Sequence, residues 1–565
     1  MQLGDHTRAA GALGAERPVW REGVAVFLGG LVVAVAAFWP LALHLSTHVP
    51  SELADPLLQA WQVAWGGHAL ATQPLDFFQS NSFYPLRNSL AFSDALVGYS
   101  PTGLVGDGVG AALARYNVLF FVAYAVAGTG AYLLARELGL RPAAALVAAA
   151  AFAFAPWRLE QSSHLHVLSS GGIPLALSLL VRGYRRGSPG LVVAGWLVAA
   201  WQLSLGFTLG LPLAYGLALA VAGAAVVWLV RGRPALPRPL VVATAVGLVA
   251  FAVVAGVLAQ PYLQVLDDHP EAHRSIAEVG KLSPPPRSFV AAPRENLIWG
   301  GATASVRDSL PWGPEQTLFP GLAILVLAGV GALWGPWTRR LRIGIALVGA
   351  VVAFLATGLR IADGWLGYRW LYEYAPGWDG LRTPGRLYTF TSLALALLAA
   401  AGAQVAVGAA QRRRAWAGAA AGALLAAVIV VEGLGPPPVL RVPDPPRGLS
   451  SAPEPLLNLP LPGAENAFTF SDFSTFYYML WSTDGFPRIV NGTSGFTPTF
   501  TSELPKRVEG FPNRSSIRFL RGIGVRGVVL HPRAVERTGW PARRARAADL
   551  GVRVRRSGDV VIYGL

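Results

Sequence analysis

The sequence predicts an α-helical polytopic membrane protein, with about eleven transmembrane helices and a small C-terminal extracytoplasmic α/β domain. Three observations predict it. Of 565 residues, 53% are hydrophobic and only 14% charged, with a mean hydropathy of +0.45, against about 25% charged residues in soluble domains. Apolar runs of about 18–22 residues recur, long enough to cross a hydrocarbon core of about 30 Å. Arginine clusters occupy every second gap between them. A soluble enzyme and a disordered regulator are thereby excluded.

The net charge of +15 rests almost wholly on arginine, lysine appearing only at Lys281 and Lys506. Because the arginines sort between apolar runs, they read as topology and not as a nucleic-acid footprint. Without cysteine the chain has no disulfide, thiolate metal site or iron–sulfur cluster. The Arg-over-Lys bias and the Ala, Gly and Val richness point to a GC-rich bacterial genome, and so to the bacterial cytoplasmic membrane.

The first run, 24–43, follows Arg8, Arg17 and Arg21 and exceeds a signal-peptide core of about 7–15 residues, so it reads as a retained span. Arginines recur at Arg136/Arg141, Arg182/Arg185/Arg186, Arg231/Arg233/Arg238, Arg339/Arg340/Arg342 and Arg412/Arg413/Arg414, marking cytoplasmic gaps. The spans satisfying this alternation are 24–43, 116–135, 142–157, 168–183, 189–205, 207–230, 239–259, 320–337, 343–359, 387–409 and 415–433. An odd count starts the chain in the cytoplasm and ends it outside. The run 95–113 is expected as a re-entrant or interfacial helix.

Cytoplasmic connections are short, whereas the outward segments 44–115, 260–319, 360–386 and 434–565 are long and polar, so any chemistry faces outward. The chain therefore divides into a multi-pass domain, 1–433, and an extracytoplasmic domain, 434–565. The latter opens on a proline-rich linker and carries strand-like runs from Arg526 to His531 and from Val560 to Tyr563.

In the first outward loop, Pro56 suits the first position of a helix running to Thr72, with Asp55 or Ser51 as its cap. Leu58, Trp61, Trp65 and His68 share one face, which predicts a helix on the membrane surface with its tryptophans at the headgroups. Glu52 and Asp55 stand three apart beside it, and Asn81 to Pro85, with Tyr84, and Phe92-Ser93-Asp94 continue an aromatic, polar loop. A carboxylate just above the membrane is where a base is needed if a lipid-anchored donor meets an acceptor from outside; a plain helix cap is the competing reading for Asp55, and Asp94 could equally cap the next helix.

Between the third and fourth spans, Glu160, His164 and His166 offer metal ligands, a general acid, or donors to phosphate oxygens, against polar histidines meeting headgroups. The run Asp267-Asp268-His269-Pro270-Glu271-Ala272-His273-Arg274 is dense enough to bind a divalent ion, or is a flexible acidic loop. Trp312-Gly313-Pro314-Glu315 joins a ring to a carboxylate, as sugar stacking or headgroup cover requires. Arg382 and Arg386 lie outside the tenth span, against the topological bias, and are the best phosphate ligands, with snorkelling or acidic pairing as the alternative. No metal-ligand set is assigned; a divalent cation, Mg or Mn, is left open as cofactor. The spans hold almost no ionisable residue at mid-depth, which disfavours a coupled transporter.

Asp55-Pro56 through Trp65, Asn81 to Pro85, Phe154 to Arg158 with His164 to His166, Leu381 to Arg386, Tyr478 to Thr483 and Asn491 to Phe496 together resemble a group of bacterial membrane proteins related to the polytopic GT-C glycosyltransferases. The resemblance implies a GT-C-like fold and transfer of a sugar from a polyprenyl-phosphate-linked donor, on the extracytoplasmic face, to an envelope lipid, glycan or protein. By position it makes Asp55 the general base with Glu52 its acidic companion. Arg382 or Arg386 would hold the donor phosphate and His164 or His166 line its site, with Trp61, Tyr84, Asp94 and Glu315 as further substrate contacts. The partners expected are the donor and membrane lipid. The alternatives are a transporter or flippase of a lipid-linked saccharide and a non-catalytic envelope-assembly scaffold.

Overall fold

The computed structural model describes residues 19–233, 235–461, 474–538 and 550–565. Arg8 and Arg17 lie outside the described residues. Each of the eleven apolar runs falls on helix: α1 (Val19–Ala37), then, beyond the loop helix α2 (Asp55–Thr72), α3 (Gly108–Glu137), α4 (Pro142–Phe154), α5 (Gly172–Arg186), α6 (Pro189–Ser204), α7 (Phe207–Val230), α8 (Arg238–Asp268), α9 (Leu322–Trp334), α10 (Arg339–Ala356), α11 (Tyr388–Arg413) and α12 (Ala415–Glu432). Among the described residues seven helical stretches are long and apolar enough to cross a membrane, and α4 with the 3₁₀ turn after it, bent by 42°, would make an eighth. The helices α6 and α9 are shorter, and α10 begins on Arg339, Arg340 and Arg342.

The expected alternation of loops is visible in space. Arg136 pairs with Glu22 at 2.8 Å, Arg182 with Glu137 at 3.0 Å, and Arg141 donates to Gln411, so the Arg-rich turns gather at one end of the bundle. The long loops gather at the other. There β1 (His48–Pro50), just after α1, pairs antiparallel with β2 (Val439–Arg441), just after α12. Within the bundle, α9 and α11 touch backbone to backbone: a Cβ on Gly331 would stand 1.9 Å from the Leu398 carbonyl oxygen, and one on Gly402 2.0 Å from that of Leu327. Small residues permit such approach where lipid offers no hydrophobic drive between helices.

Three expectations need correction. The run 95–113 is no interfacial α-helix: Val97–Leu104 is a 3₁₀ helix interrupted by Pro101, and it lies against α2 so closely that a Cβ on Gly67 would stand 2.0 Å from the Gly103 carbonyl carbon. Nor do the tryptophans of α2 face headgroups. Trp61 and Trp65 are 1% and 3% exposed, donate to Asn81 Oδ1 and the Phe77 carbonyl, and join one apolar cluster with Leu456, Met479, Ile489, Val529 and Ile562 of the C-terminal domain. Burial of two indoles, with both N–H groups satisfied, outweighs an interfacial seat. The proline-rich linker, finally, is docked through β2.

The C-terminal domain is the expected small α/β unit. Its sheet has the order β3 (Leu456–Leu459), β4 (Gly527–Leu530), β6 (Val560–Gly564), β5 (Arg553–Ser557), with β3 and β4 parallel and the rest antiparallel. The first loop adds to it: Phe83 and Tyr84 donate their backbone N–H groups to the Asn491 and Ile489 carbonyls, and Ile489 returns one to Asn81. Thus Asn81 to Pro85 and Asn491 to Phe496, far apart in sequence, meet in the fold.

Candidate functional site

Asp55 is the first residue of α2, but it caps nothing; the N-cap position is Ala54, without a side-chain bond. Its carboxylate instead meets His164, Oδ2 to Nε2 at 3.2 Å. One turn on, Gln59 fixes that histidine's backbone from both sides, donating to the Ser163 carbonyl at 3.2 Å and accepting from the Leu165 N–H at 2.7 Å. Pro156 ends α4 and sends the chain through a 3₁₀ turn that delivers His164 and His166 to this spot. Both are mostly buried, not lying at headgroups.

Behind His164 stands Glu315, Oε1 at 3.6 Å. Glu315 is gripped by Arg386, Nη2 to Oε1 at 2.5 Å and Nε to Oε2 at 3.4 Å. The remaining arm of Arg386 reaches His166 Nε2 at 2.9 Å; since arginine only donates, this nitrogen accepts and His166 is neutral there. Asp94 lies 3.8 Å from the same nitrogen. It does cap a helix, though not the next one: it accepts from the Phe207 N–H at 2.6 Å and the Thr208 hydroxyl at 2.5 Å, at the start of α7. Gly206 makes room for it, because a Cβ there, at φ +159, would stand 2.6 Å from Asp94 Cγ.

The electrostatics follow. Burial by itself would raise the Asp55 carboxyl, but the hydrogen bond and charge of His164, with the charges of Arg382 and Arg386, outweigh it and hold Asp55 below the usual range. Glu315 behaves alike, burial being overcome by Arg386, His164 and Arg382. At Glu52 the pull of His164 and of a hydrogen bond from Ser163 does not offset burial. Burial, then the Asp55 charge, push it up to about 7.

A cleft of about 440 Å³ opens in front of Asp55. Its polar wall carries Asp55, Asp94, His166, Arg274, Arg382 and Arg386; its apolar wall carries Leu211 of α7 and Ala259, Leu263 and Leu266 of α8. The helix α8 packs along α6, and α7 and α8 meet chiefly through the rings of Phe207 and Tyr262, 5.0 Å apart. Leu263, a lining residue, is also 59% exposed, so the cleft opens sideways onto the apolar surface of the bundle.

The structure thus brings Asp55, Asp94, His166, Arg382 and Arg386 to one cleft, with His164 and Glu315 as backing and Glu52 beside them. It does not bring Trp61 or Tyr84 there: Trp61 is core, and the Tyr84 ring lies under the Arg488 guanidinium. Sequence reasoning singled out neither Arg274, which lines the cleft, nor Gln59, which holds the His164 backbone. Arg274 was hidden in the acidic run 267–274, two members of which are used in contacts with distant segments: Glu271 accepts from Thr499, and His273 meets Asp379 at 3.3 Å. Arg274 and Arg382 share one carboxylate, Glu278, at 3.6 and 3.8 Å, so neither guanidinium is gripped as Arg386 is by Glu315.

Among the described residues no group of three or more His, Asp or Glu side chains could hold a metal ion. Asp55, His164 and Glu315 are close but face one another as ion pairs, with Glu315 held by Arg386, so this donor set does not fit a divalent cation as placed.

No protein-family model matches the chain, and no curated protein matches it in sequence. Its fold is similar to that of GT-C glycosyltransferases. The cryo-EM structure of the arabinofuranosyltransferase AftD from Mycobacteria superposes with a TM-score of 0.52 at 16% identity, over 96% of this chain and 40% of that one. The apo oligosaccharyltransferase of Archaeoglobus fulgidus gives a TM-score of 0.47 at 14% identity, over 90% and 69%. ArnT from Cupriavidus metallidurans bound to undecaprenyl phosphate gives 0.36 at 15%, over 96% and 97%.

Proposed function

We propose that the chain is a GT-C-type membrane glycosyltransferase that moves a sugar from a polyprenyl-phosphate-linked donor to a hydroxyl of an envelope lipid, glycan or protein on the extracytoplasmic face. The observation that carries this reading is a carboxylate, Asp55, held below the usual range by His164 and facing a cleft with three arginines on its polar wall and an apolar wall opposite. The polyprenyl tail enters between α7 and α8, where the cleft meets the apolar surface. Its phosphate rests on Arg382 and Arg274, because Arg386 is already engaged by Glu315 and His166.

Asp55 takes the proton of the acceptor hydroxyl as that oxygen bonds to the anomeric carbon. The bond from this carbon to the phosphate oxygen breaks, and the lipid phosphate leaves with the electron pair, its charge met by the two guanidinium groups. His164, clamped by Gln59 and backed by Glu315, keeps Asp55 ionised and oriented. No step runs through a metal ion.

The test is turnover of synthetic polyprenyl-phosphate sugars by the purified chain in detergent, read by mass spectrometry. Transfer or donor hydrolysis by the wild type, absent in Asp55→Asn, supports the reading. Movement of a lipid-linked saccharide across vesicles by both proteins, without turnover, would replace it with transport.

A further inference from the structure

We propose that the segment Ser494–Phe496 of the C-terminal domain sets the anion-binding position of Arg382, so that this domain is a working part of the site. The inference rests on the donor reading above. The segment forms part of the cleft wall, although it belongs to the chain beyond the last membrane helix. It is fastened at each residue. Ser494 donates to the Ser93 hydroxyl at 2.9 Å, the Gly495 carbonyl accepts from Arg382 Nη1 at 3.3 Å, and the Phe496 ring lies 4.9 Å from that of Phe92 and 6.0 Å from that of His269. Just beyond, Thr499 donates its N–H and hydroxyl to Glu271 at 2.7 and 3.0 Å.

Arg382 has few other fixings. Its contact with Glu278, at 3.8 Å, is an ion pair too long for a hydrogen bond. The Gly495 carbonyl is therefore the one group in hydrogen-bond contact that orients its guanidinium among the described residues, and it uses a single donor of five, leaving the others for an anion. Glycine is what lets the carbonyl come so near: a Cβ at position 495 would stand 2.6 Å from the Phe92 carbonyl oxygen and 3.2 Å from Arg274 Nη2. A side chain there would lift the segment away from both Arg274 and Arg382 on the polar wall. Gly495 and Ser494 act through Arg382, as positioning residues.

Undecaprenyl phosphate, titrated into the full chain in detergent with tryptophan fluorescence as readout, tests this, alongside the melting temperature of each variant. Arg382→Ala is expected to weaken binding at least tenfold, Gly495→Ala about fivefold with a lowered melting temperature, and Ser494→Ala about twofold with melting changed by no more than about a degree or two. The chain has no cysteine, and the Ser93 and Ser494 hydroxyls are 2.9 Å apart, so Ser93→Cys with Ser494→Cys gives a single disulfide with little movement. Oxidised, that protein should bind as tightly as the wild type; a loss on oxidation that a reductant reverses makes the segment a lid and overturns the proposal. If Arg382→Ala binds like the wild type, the donor reading fails and the inference with it. If Arg382→Ala is weakened but Gly495→Ala and Ser494→Ala are not, the inference alone fails. Should Gly495→Ala not fold, Ser494→Ala and the disulfide decide.

Discussion

Replacing Asp55 by asparagine isolates the chemistry because the residue carries so little structure. Its side chain makes no cap bond, and its close charged partner among the described residues is His164 at 3.2 Å. What the fold loses is one first-turn charge in the helix field, about 0.3–1 kcal/mol, and the charge on its hydrogen bond to His164, about 1–2 kcal/mol, which together lower the melting temperature by a few degrees. What the reaction loses is a positioned general base, worth about 100- to 10,000-fold, or about 2.7–5.4 kcal/mol of barrier at 1.36 kcal/mol per decade. The two losses are read separately, so kcat for sugar transfer should collapse while the melting temperature in detergent falls by only a few degrees. His164→Ala supplies the second arm. Removing the hydrogen bond and charge that hold Asp55 down lets burial act unopposed by them, so the acid limb of the pH–rate profile should move to higher pH. Asp55→Asn turning over within tenfold of the wild type, or a His164→Ala profile whose acid limb stays put, would refute the assignment of Asp55 as base.

Glu52 gives a pH signature of opposite sign. Its carboxyl is raised from an ordinary 4.5 to about 7, so the folded protein holds a proton that the unfolded chain releases, and its contribution to stability is lost as pH rises from 4.5 through 7. Glu52→Gln should melt like the wild type near pH 4.5 and above it at pH 7.5; equal melting at both would show Glu52 ionised and solvated. Glu315→Gln leaves Arg386 buried without its carboxylate, and breaking such a pair costs about 3–5 kcal/mol; differential scanning calorimetry should show the largest destabilisation among the site variants. Gly402→Leu would drive a side chain into the Leu327 carbonyl at the α9–α11 contact, so this protein should be recovered aggregated or monodisperse only in small yield on size exclusion.

The sequence was most legible where one physical rule decides the outcome. Each apolar run falls on a helix, although among the described residues seven helical stretches, or eight with the bent pair, are long and apolar enough to span. The arginine alternation predicted turns that lie together, as the Arg136–Glu22 and Arg182–Glu137 pairs show. Within the site, Asp55, His164, His166, Arg382, Arg386, Asp94 and Glu315 were picked for their chemistry and converge. Illegible were the choices made by tertiary packing. Trp61 is as amphipathic as any interfacial tryptophan, and only the C-terminal domain lying over α2 turns it into core. Arg386 and Arg382 read alike in Leu381 to Arg386; Glu315, from another loop, spends the first and leaves the second. Arg274 is brought to the cleft by Tyr372, whose hydroxyl donates to the Arg274 carbonyl at 2.5 Å, a contact no local pattern encodes.

The pairing of His48–Pro50 with Val439–Arg441 bears on how the molecule is made. The first of these strands leaves the ribosome early, directly behind the first membrane helix, and its partner exists only after the last one has been synthesised. Until then the edge of β1 is unpaired and Trp61 and Trp65 lack the sheet that covers them. The site is therefore completed when the C-terminal domain closes over the first loop, and a truncation within that domain would expose apolar surface around Trp61 and Trp65 even though the helices before it had formed.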